Sequence, residues 1–340
     1  MFARRRHTRT ARAVGAAAVA VVAASTVAAC GSGAGGGSAG GGGSWKPSGT
    51  VNVDVPFAPG GGSDVFGRAM AQGFEGVRPG LSLTVHNRAG GSGAVGYTFL
   101  YSKQGNPNYL VPSETTAVAL PLSTKTPWKW TDFTPIMQIA EDTSMLLVPT
   151  DSPYKSLKDF VAAAKAGKHL RIGVTGTTSI DAIQVGLMEK DAGIKLRRVV
   201  FESGGEMVTS LLGGNADGGM LNPSEGLEQV KAGKLRAIAV FADHRYKSPL
   251  LKDVPTAKEQ GVDVSVGQYR GVFAAGDITS AQEKYWEKTT KLWTQSPSFK
   301  KYIEQNDLRK VVRPHDEFVS YLHDYQGTLK KAMSASGGNS

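Results

Sequence analysis

A glycine-rich loop at 56–62 carries the groups best suited to chemistry in this sequence. It follows a predicted strand at 51–55 and precedes a predicted helix that Ser63 or Asp64 can cap. Such a loop leaves backbone N–H groups unpaired at the positive end of the helix dipole. This combination favours the binding of an anion, although a glycine turn also serves for plain chain reversal.

The same pattern of strand, polar loop and helix occurs five more times along the chain. The predicted strands span 81–86, 109–111, 170–174, 198–201 and 217–221. The loops that follow them span 87–96, 112–116, 175–179, 202–206 and 222–225. Alternating strands and helices predict right-handed crossovers and parallel sheets. In such sheets the ligand lies beyond the carboxyl ends of the strands, which is where these loops occur.

Two sets of three strands predict an α/β protein with two doubly wound lobes, a hinge and a cleft between the lobes. One large α/β domain with ordinary loops is the alternative. We expect the first lobe to comprise 46–142 and 275–335, and the second lobe 143–274. The chain would cross between them near 141–148 and 267–275. The last residues, 336–340, are predicted to form a disordered tail.

The first 29 residues have the character of an export signal. Five arginines occur by position 12, and 13–29 is apolar but too short and alanine-rich for a convincing membrane span. The end of this segment, Val27-Ala-Ala-Cys30, resembles the lipobox of bacterial lipoproteins, which implies cleavage before Cys30 and lipid attachment to its sulfur. Residues 30–45 are predicted to be this lipidated cysteine and a flexible tether. We therefore expect an extracytoplasmic protein that is lipid-anchored to the outer face of the cell membrane.

The charge of the chain constrains its partners. The 340 residues carry a formal net charge of +10 at pH 7, and removing the five arginines of the signal leaves 34 basic and 29 acidic residues. This surplus is compatible with a small anionic ligand or an anionic membrane surface. The basic residues are dispersed rather than clustered with aromatic residues, so nucleic acid is not an expected partner.

Motifs for catalysis and for cofactors are incomplete. The run Gly91-Ser-Gly-Ala-Val-Gly96 matches a dinucleotide-binding pattern, but it opens the second strand and helix unit instead of the first. Ser152-Pro-Tyr-Lys155 matches the Ser-x-x-Lys of penicillin-recognising enzymes without their other motifs. No histidine has the spacing of a metal site. We predict no cofactor, no metal and no catalytic residue, with an exported α/β enzyme as the alternative.

Two motifs in the first half of the chain are specific in combination. They are Val55-Pro-Phe-Ala-Pro-Gly-Gly-Gly-Ser-Asp64 with Arg68, and Val85-His-Asn-Arg-Ala-Gly-Gly-Ser-Gly-Ala-Val-Gly96. Further segments follow in order at 156–160, 173–179, 211–217, 231–240, 253–256 and 259–261. Together they resemble the solute receptors of tripartite tricarboxylate transporters, the Bug-type binding proteins. The resemblance covers roughly 45–332 and implies a type II periplasmic-binding-protein fold, no catalysis, and delivery of a ligand to membrane permease subunits.

The resemblance and the loop pattern agree on capture of a small carboxylate ligand. One carboxylate would lie against the first glycine-rich loop, and loops of the second lobe would close over the other end. The predicted ligand-binding residues are Pro59, Gly60, Gly61, Ser63, Asp64, Asn87, Ser92, Ser113, Thr115, Thr116, Thr175, Gly176, Thr177, Thr178, Ser179, Ser203 and Asp217. We expect backbone donors rather than an arginine clamp, because 59–64 and 175–179 contain no arginine. The protein is predicted to be a monomer, and a ligand sensor on the same fold is the other alternative.

Overall fold

The computed structural model describes residues 45–335. Three predicted segments lie outside this range: the signal at 1–29, the lipid attachment site at Cys30 with most of its tether, and the tail at 336–340. Within it, the strands form two separate sheets, one of six strands and one of five.

The first sheet combines strands from both ends of the described chain. Its strands are β1 (Val51–Val55), β2 (Leu83–Asn87), β3 (Tyr109–Ser113), β4 (Thr134–Asp142), β10 (Gln268–Ala274) and β11 (Arg309–Arg313). Their order across the sheet is β11-β4-β10-β3-β1-β2. β1 pairs in parallel with β2 and β3, whereas β10 is antiparallel to both β3 and β4.

The second sheet is built from the middle of the chain. Its strands are β5 (Met145–Pro149), β6 (Arg171–Val174), β7 (Arg197–Val200), β8 (Gly218–Leu221) and β9 (Leu235–Val240). Their order is β7-β6-β8-β5-β9, with β6 parallel to β7 and β8, and β5 antiparallel to its two neighbours.

Helices cover the sheets and follow most of the parallel strands. They are α1 (Gly62–Val77), α2 (Ala94–Tyr101), α3 (Thr116–Ser123), α4 (Leu157–Lys165), α5 (Ile180–Ala192), α6 (Gly204–Leu212), α7 (Pro223–Lys231), α8 (Ser280–Thr294), α9 (Pro297–Gln305) and α10 (His315–Ala335). No helix between residues 45 and 335 is both long enough and apolar enough to cross a membrane.

Packing of α1 fixes the first loop against the first sheet. Phe66, Met70 and Phe74 recur on one face of α1 at a spacing of four residues and are fully buried. They join Trp286 and Trp293 of α8 in one core cluster. Gly73 permits this contact, because a Cβ at that position would lie 2.0 Å from Nε1 of Trp293. Each buried aromatic ring contributes about 1.5–3 kcal/mol to stability.

The predicted α/β fold is confirmed, and each of the six predicted strands is present within two residues of its expected bounds. The prediction of parallel sheets is incomplete, because β4, β5, β9, β10 and β11 all make antiparallel pairs. None of these five strands is among the six strands on which the prediction rested.

The predicted end of the second lobe at residue 274 is wrong. β10 lies inside the range 143–274, yet it hydrogen-bonds to β3 and β4 of the first sheet. The chain leaves the first sheet after Asp142, and Val264 still packs in the core of the second sheet. The return to the first sheet therefore falls at 265–267. The run Gln-Tyr-Arg-Gly-Val-Phe-Ala of β10 is a fully buried central strand, not a connection.

Candidate ligand-binding site

Loops at the carboxyl ends of both sheets enclose one small cavity. Phe57 follows β1, Glu114 follows β3, Thr175 follows β6 and Asn222 follows β8, and all four residues line it. The cavity volume is about 40 Å³, which is room for only a few water molecules. The cleft is therefore closed in this structure, and a ligand larger than this volume needs the loops to separate.

The N-terminus of α1 meets a carboxylate of the protein itself. Gly61 is the N-cap of α1, and the N–H of Gly62 donates to Oε1 of Glu225 at 3.0 Å. Glu225 belongs to α7, where its Oε2 accepts from the backbone N–H of Asn222 at 2.9 Å. The carboxylate of Glu225, on the helix that follows β8, thus occupies the position at which the sequence predicts an anion.

A buried arginine stands beside this helix terminus. Arg270 of β10 is 2% exposed, and its Nη2 and Nε donate to Oδ2 of Asp142 on β4 at 2.5 and 2.9 Å. Its Nη1 donates to Oγ of Ser63 at 3.4 Å. A Cβ at Gly62 would lie 2.6 Å from Nη2, so only glycine lets α1 begin this close to the guanidinium. The sequence analysis did not predict an arginine at this place, and the expectation that the ligand binds backbone donors stays a prediction.

Polar side chains connect this ion pair to the rest of the cavity. Asn222 Nδ2 donates to Oδ2 of Asp142 at 2.7 Å. The side-chain amide of Gln268 makes hydrogen bonds through both of its polar atoms. Its nitrogen donates to Oε2 of Glu114 at 2.7 Å, and its oxygen accepts from Nδ2 of Asn222 at 2.8 Å. The network therefore links β10, β4 and α7 through buried hydrogen bonds, each stronger here than in water.

The carboxyl groups at the cavity are difficult to ionise. Burial raises the pKa of Glu114, Asp142 and Asp181 above their ordinary values, and the charge of Arg270 offsets this only in part for Glu114 and Asp142. Burial also raises the pKa of Glu225 to about 7, although hydrogen bonds from the backbone N–H groups of Asn222 and Gly62 act to lower it. The cavity is thus rich in acidic groups that share one guanidinium.

Sequence analysis missed the charged side chains of this network and the glutamine that connects them. They are Glu114, Asp142, Asp181, Glu225, Gln268 and Arg270. The available signal was an arginine within the otherwise uncharged strand Gln-Tyr-Arg-Gly-Val-Phe-Ala, since a buried charge requires a partner.

Five of the predicted ligand-binding residues line the cavity: Gly61, Ser63, Thr175, Ser179 and Ser203. Ser179 and Ser203 are the N-caps of α5 and α6, so these helices also begin at the cavity. The N–H and Oγ1 of Thr175 both donate to Oδ2 of Asp181, at 2.5 and 2.9 Å. The structure therefore brings the first glycine-rich loop together with two of the predicted loops of the second sheet.

Other predicted residues form the mouth of the cleft. The N–H of Thr177 donates to Oγ of Ser92 at 3.1 Å, which joins a loop of the second sheet to one of the first. Gly176 has a φ of +91° and faces the same serine. Pro59 and Gly60 are exposed at the edge of the first loop.

Asp64 and Asn87 hold the first loop in place. Asp64 accepts from Arg68, from the N–H of Gly60 at 3.0 Å and from Nδ2 of Asn87 at 2.9 Å. Burial alone would raise the pKa of Asp64, but these hydrogen bonds lower it below its ordinary value. Both side chains are occupied by partners of their own lobe, and neither lines the cavity.

Four predicted hydroxyl residues are buried beside the cavity instead of lining it. Ser113 pairs with the hydroxyl of Tyr269 at 2.9 Å, and Thr115 pairs with that of Tyr325 at 2.7 Å. Thr116 and Thr178 are buried, and the Oγ1 of each has no hydrogen-bond partner within residues 45–335.

Asp217 is predicted to bind the ligand but does not line this cavity. It precedes β8 and pairs with Arg171 at the start of β6, with Nη2 to Oδ1 at 2.9 Å. This is the amino end of the second sheet, whereas the cavity lies at the carboxyl ends of the strands. The sequence analysis listed Asp217 as a ligand-binding residue because it lies beside a strand, but the length of β8 separates it from the cleft.

Two sheets with a cleft between their carboxyl ends define the class of solute-binding proteins with a periplasmic-binding-protein fold. The chain belongs to the tripartite tricarboxylate transporter receptor family, whose pattern matches residues 68–335. It is 27% identical over 228 residues to Protein BugT of Bordetella pertussis, with 63% of this chain and 67% of that protein covered. It is 26% identical over 284 residues to a UPF0065 protein of Cupriavidus necator, with 82% of each chain covered.

Solved structures share the fold. The periplasmic binding protein BugD is similar with a TM-score of 0.81 and 20% identity, over 86% of this chain and 99% of BugD. An adipate-bound protein of R. palustris has a TM-score of 0.79 and 21% identity, over 85% and 97% of the two chains. The malate-bound MatC of Rhodopseudomonas palustris has a TM-score of 0.74 and 21% identity, over 83% and 98%.

Proposed function

We propose that this protein is an extracytoplasmic receptor that captures a small carboxylate-bearing metabolite and delivers it to a tripartite tricarboxylate-type permease. The observation that carries the proposal is the contact between the N–H of Gly62 and the carboxylate of Glu225. The N-terminus of α1 already receives a carboxylate, and a ligand carboxylate would exchange for it when the cleft opens. Family membership and the adipate and malate held by relatives of the same fold support this function.

The residues that would touch the ligand are those at the cavity. Gly61, Ser63, Thr175, Ser179 and Ser203 supply backbone and hydroxyl donors from both sheets. Ser92, Gly176 and Thr177 would seal the mouth after the ligand enters. This assignment gives the protein no catalytic residue and no cofactor.

The two sheets would act as two lobes of one receptor. The connections at 143–144 and 265–267 are short, and each lies next to a strand of the first sheet. Rotation about these connections would open the cleft, as in other binding proteins with hinged domains. Lipid attachment at Cys30 would hold a monomeric receptor at the outer face of the cell membrane, near its permease subunits.

Titration calorimetry with malate, adipate and other small carboxylates tests the receptor function. We expect saturable binding of at least one acid with no chemical change in it. Gly61→Val should weaken that binding tenfold or more, because its side chain would point toward Ser203 and Glu225. Gly76→Val is the matched control, since a Cβ at Gly76 has no neighbour within 4 Å. Turnover of the acid, or equal binding by both variants, would contradict the proposal.

A further inference from the structure

A second cavity lies behind the two connections between the sheets. Its volume is about 430 Å³, and small-molecule sites usually enclose about 300–1,000 Å³. Thr143 of one connection lines it together with Ser265 and Gly267 of the other. Residues 242–247, which follow β9, form its wall on the second lobe, and residues 307–310 form its wall on the first. The cavity therefore borders both lobes and both connections.

The two cavities lie on opposite sides of these connections. Asp142 and Glu141 are consecutive residues of β4, so their side chains point to opposite faces of the first sheet. Asp142 pairs with Arg270, which lines the cleft cavity, whereas Glu141 lines the second cavity. Gln268 lines the cleft cavity, and Gly267, directly before it, lines the second one. A rotation of the lobes that opens one cavity therefore narrows the other.

The second cavity is the wider of the two in this structure, in which the cleft is closed. A molecule bound in it would resist any rotation that narrows it, and that rotation is the one that opens the cleft. Occupancy of the second cavity should therefore favour the closed arrangement of the lobes. Because such linkage is reciprocal, closure of the cleft should also tighten binding behind the connections.

Two lysines at the second cavity have no carboxylate partner within residues 45–335. The side chain of Lys247 makes no hydrogen bond or ion pair in this range. Lys310 donates to the carbonyl oxygen of Thr294 at 2.8 Å and lies 5.4 Å from the ring centre of Phe299, and both groups are neutral. The lining arginines each pair with a glutamate, Arg245 with Glu259 and Arg309 with Glu141. The two lysines can therefore receive a dianion, and a phosphate monoester carries a charge of about −1.5 to −2 at pH 7.

One carboxylate at the second cavity needs a hydrogen-bond donor. Asp307 lines this cavity, and its Oδ2 is buried without a hydrogen-bond partner among residues 45–335. An acceptor left unpaired by burial costs free energy, so a hydroxyl group placed beside it would bind favourably. Asp243, which also lines the cavity, contacts His244, and its side chain is 83% exposed, so that water and salt screen its charge.

We propose that the second cavity binds a phosphate monoester of a polyol, with the phosphate between Lys247 and Lys310 and a hydroxyl group on Asp307, and that its occupancy favours the closed cleft. The dianion matches the two lysines, and the hydroxyl group matches the unpaired oxygen. Among the described residues, none lines both this site and the cleft cavity. The inference therefore goes beyond the proposed receptor function, and its failure would leave that function standing.

Titration calorimetry with glycerol 3-phosphate tests the site, with inorganic phosphate as the probe that lacks the polyol. We expect glycerol 3-phosphate to bind at least tenfold more tightly than inorganic phosphate. Lys247→Gln and Lys310→Gln should each weaken its binding fivefold or more, because each variant removes one positive charge. Asp307→Asn should bring the two probes to within threefold of each other, and asparagine tolerates the φ of +50° at this position.

Lys252→Gln is the matched control, since Lys252 is exposed on the same lobe as Lys247 and does not line the cavity. It should bind glycerol 3-phosphate as the wild type does. Undiminished binding in both Lys247→Gln and Lys310→Gln, or no binding by the wild type, would overturn the site. Binding no tighter than that of inorganic phosphate would overturn the role of Asp307.

A phosphodiester probe separates a free metabolite from a lipid headgroup. The diester sn-glycero-3-phosphoglycerol has the chemistry of a phospholipid headgroup and carries one negative charge. We expect it to bind at least fivefold more weakly than glycerol 3-phosphate, because only the monoester matches both lysines. Tighter binding of the diester would overturn the assignment to a monoester.

Spin labels on the two lobes measure the coupling without any ligand in the cleft. Val95→Cys on α2 and Val200→Cys at the end of β7 place them at exposed positions, in a Cys30→Ala background that removes the native cysteine. Saturating glycerol 3-phosphate should shift the distances between the labels toward shorter values, and Lys247→Gln should abolish the shift at the same concentration. Unchanged or longer distances in the protein with Lys247 intact would contradict the coupling.

Discussion

Ser92 and Gly176 meet across the mouth of the closed cleft. A Cβ on Gly176 would lie 2.8 Å from Oγ of Ser92, and the adjacent N–H of Thr177 donates to the same oxygen at 3.1 Å. The two loops therefore approach closely only because residue 176 has no side chain. Closure of the cleft should therefore be sensitive to a methyl group added at residue 176.

Gly176→Ala should weaken ligand binding tenfold or more, because the methyl group holds Ser92 and the second loop apart. Its φ of +91° also costs an alanine about 1 kcal/mol. Gly167→Ala controls for that strain, since Gly167 has a φ of +86° and open space around it. Calorimetry with the best ligand and urea unfolding of both variants separate the two effects. Equal affinity in the two variants would show that this contact does not limit closure.

Removal of Arg270 should destabilise the protein severely. Arg270→Met leaves Asp142 buried without its cation, and breaking a buried ion pair from one side costs about 3–5 kcal/mol. Arg171→Met removes one member of the half-exposed pair with Asp217 and should cost about 1 kcal/mol or less. Urea unfolding measures both. Similar losses in the two variants would mean that the Arg270 pair is better solvated than its burial indicates.

Glu225 should make stability depend on pH near neutrality. Its pKa of about 7 in the folded protein lies above the ordinary value of 4.5, so the folded state binds the proton more tightly than the unfolded state. The stabilisation that this tighter proton binding gives to the folded state is fully present below about pH 4.5 and is lost as the pH rises through about 7. Arg270 and Asp181 are the charged groups that act on it, with opposite effects.

The stability of Glu225→Gln should therefore fall less than that of the wild type as the pH rises from 4.5 to 7.5. The difference in the free energy of unfolding between the wild type and Glu225→Gln should change by no more than about 3 kcal/mol between pH 4.5 and 7.5. Glu228→Gln should follow the wild type, and urea unfolding at a series of pH values gives the comparison. Parallel curves for the wild type and Glu225→Gln would rule out the raised pKa.

Asp217→Asn should leave ligand affinity unchanged within twofold. The side chain pairs with Arg171 at the amino end of the second sheet, away from the cavity. We expect a loss of stability of about 1 kcal/mol or less, because the pair is partly exposed. Calorimetry checks the affinity against wild type, and a tenfold loss without a loss of stability would return Asp217 to the binding site.

Cys30→Ala should release the protein from the membrane without altering ligand affinity. The expectation rests on the lipobox-like Val27-Ala-Ala-Cys30 and on the tether that follows it. Fractionation of cells that produce either form measures attachment, and calorimetry on the soluble form measures affinity. Attachment that persists in the variant would show that another feature anchors the protein.

Sequence reasoning located the parts of the site that depend on local order along the chain. Strand β1, the glycines before α1 and the serines that begin α5 and α6 follow from spacing and capping preferences alone. Arg270 and Glu225 were missed because they reach α1 from positions more than 160 residues away. Their role depends on the antiparallel return of β10 and on burial, and neither has a signature in the local sequence.

The pair formed by Arg270 and Asp142 has a mechanical consequence as well as an electrostatic one. Asp142 is the last residue of β4, directly before one connection, and Arg270 lies near the start of β10, directly after the other. The ion pair thus holds both connections together where they join two neighbouring interior strands of the first sheet. We expect the second lobe to rotate about a single hinge axis through this pair, with little sliding of one sheet past the other.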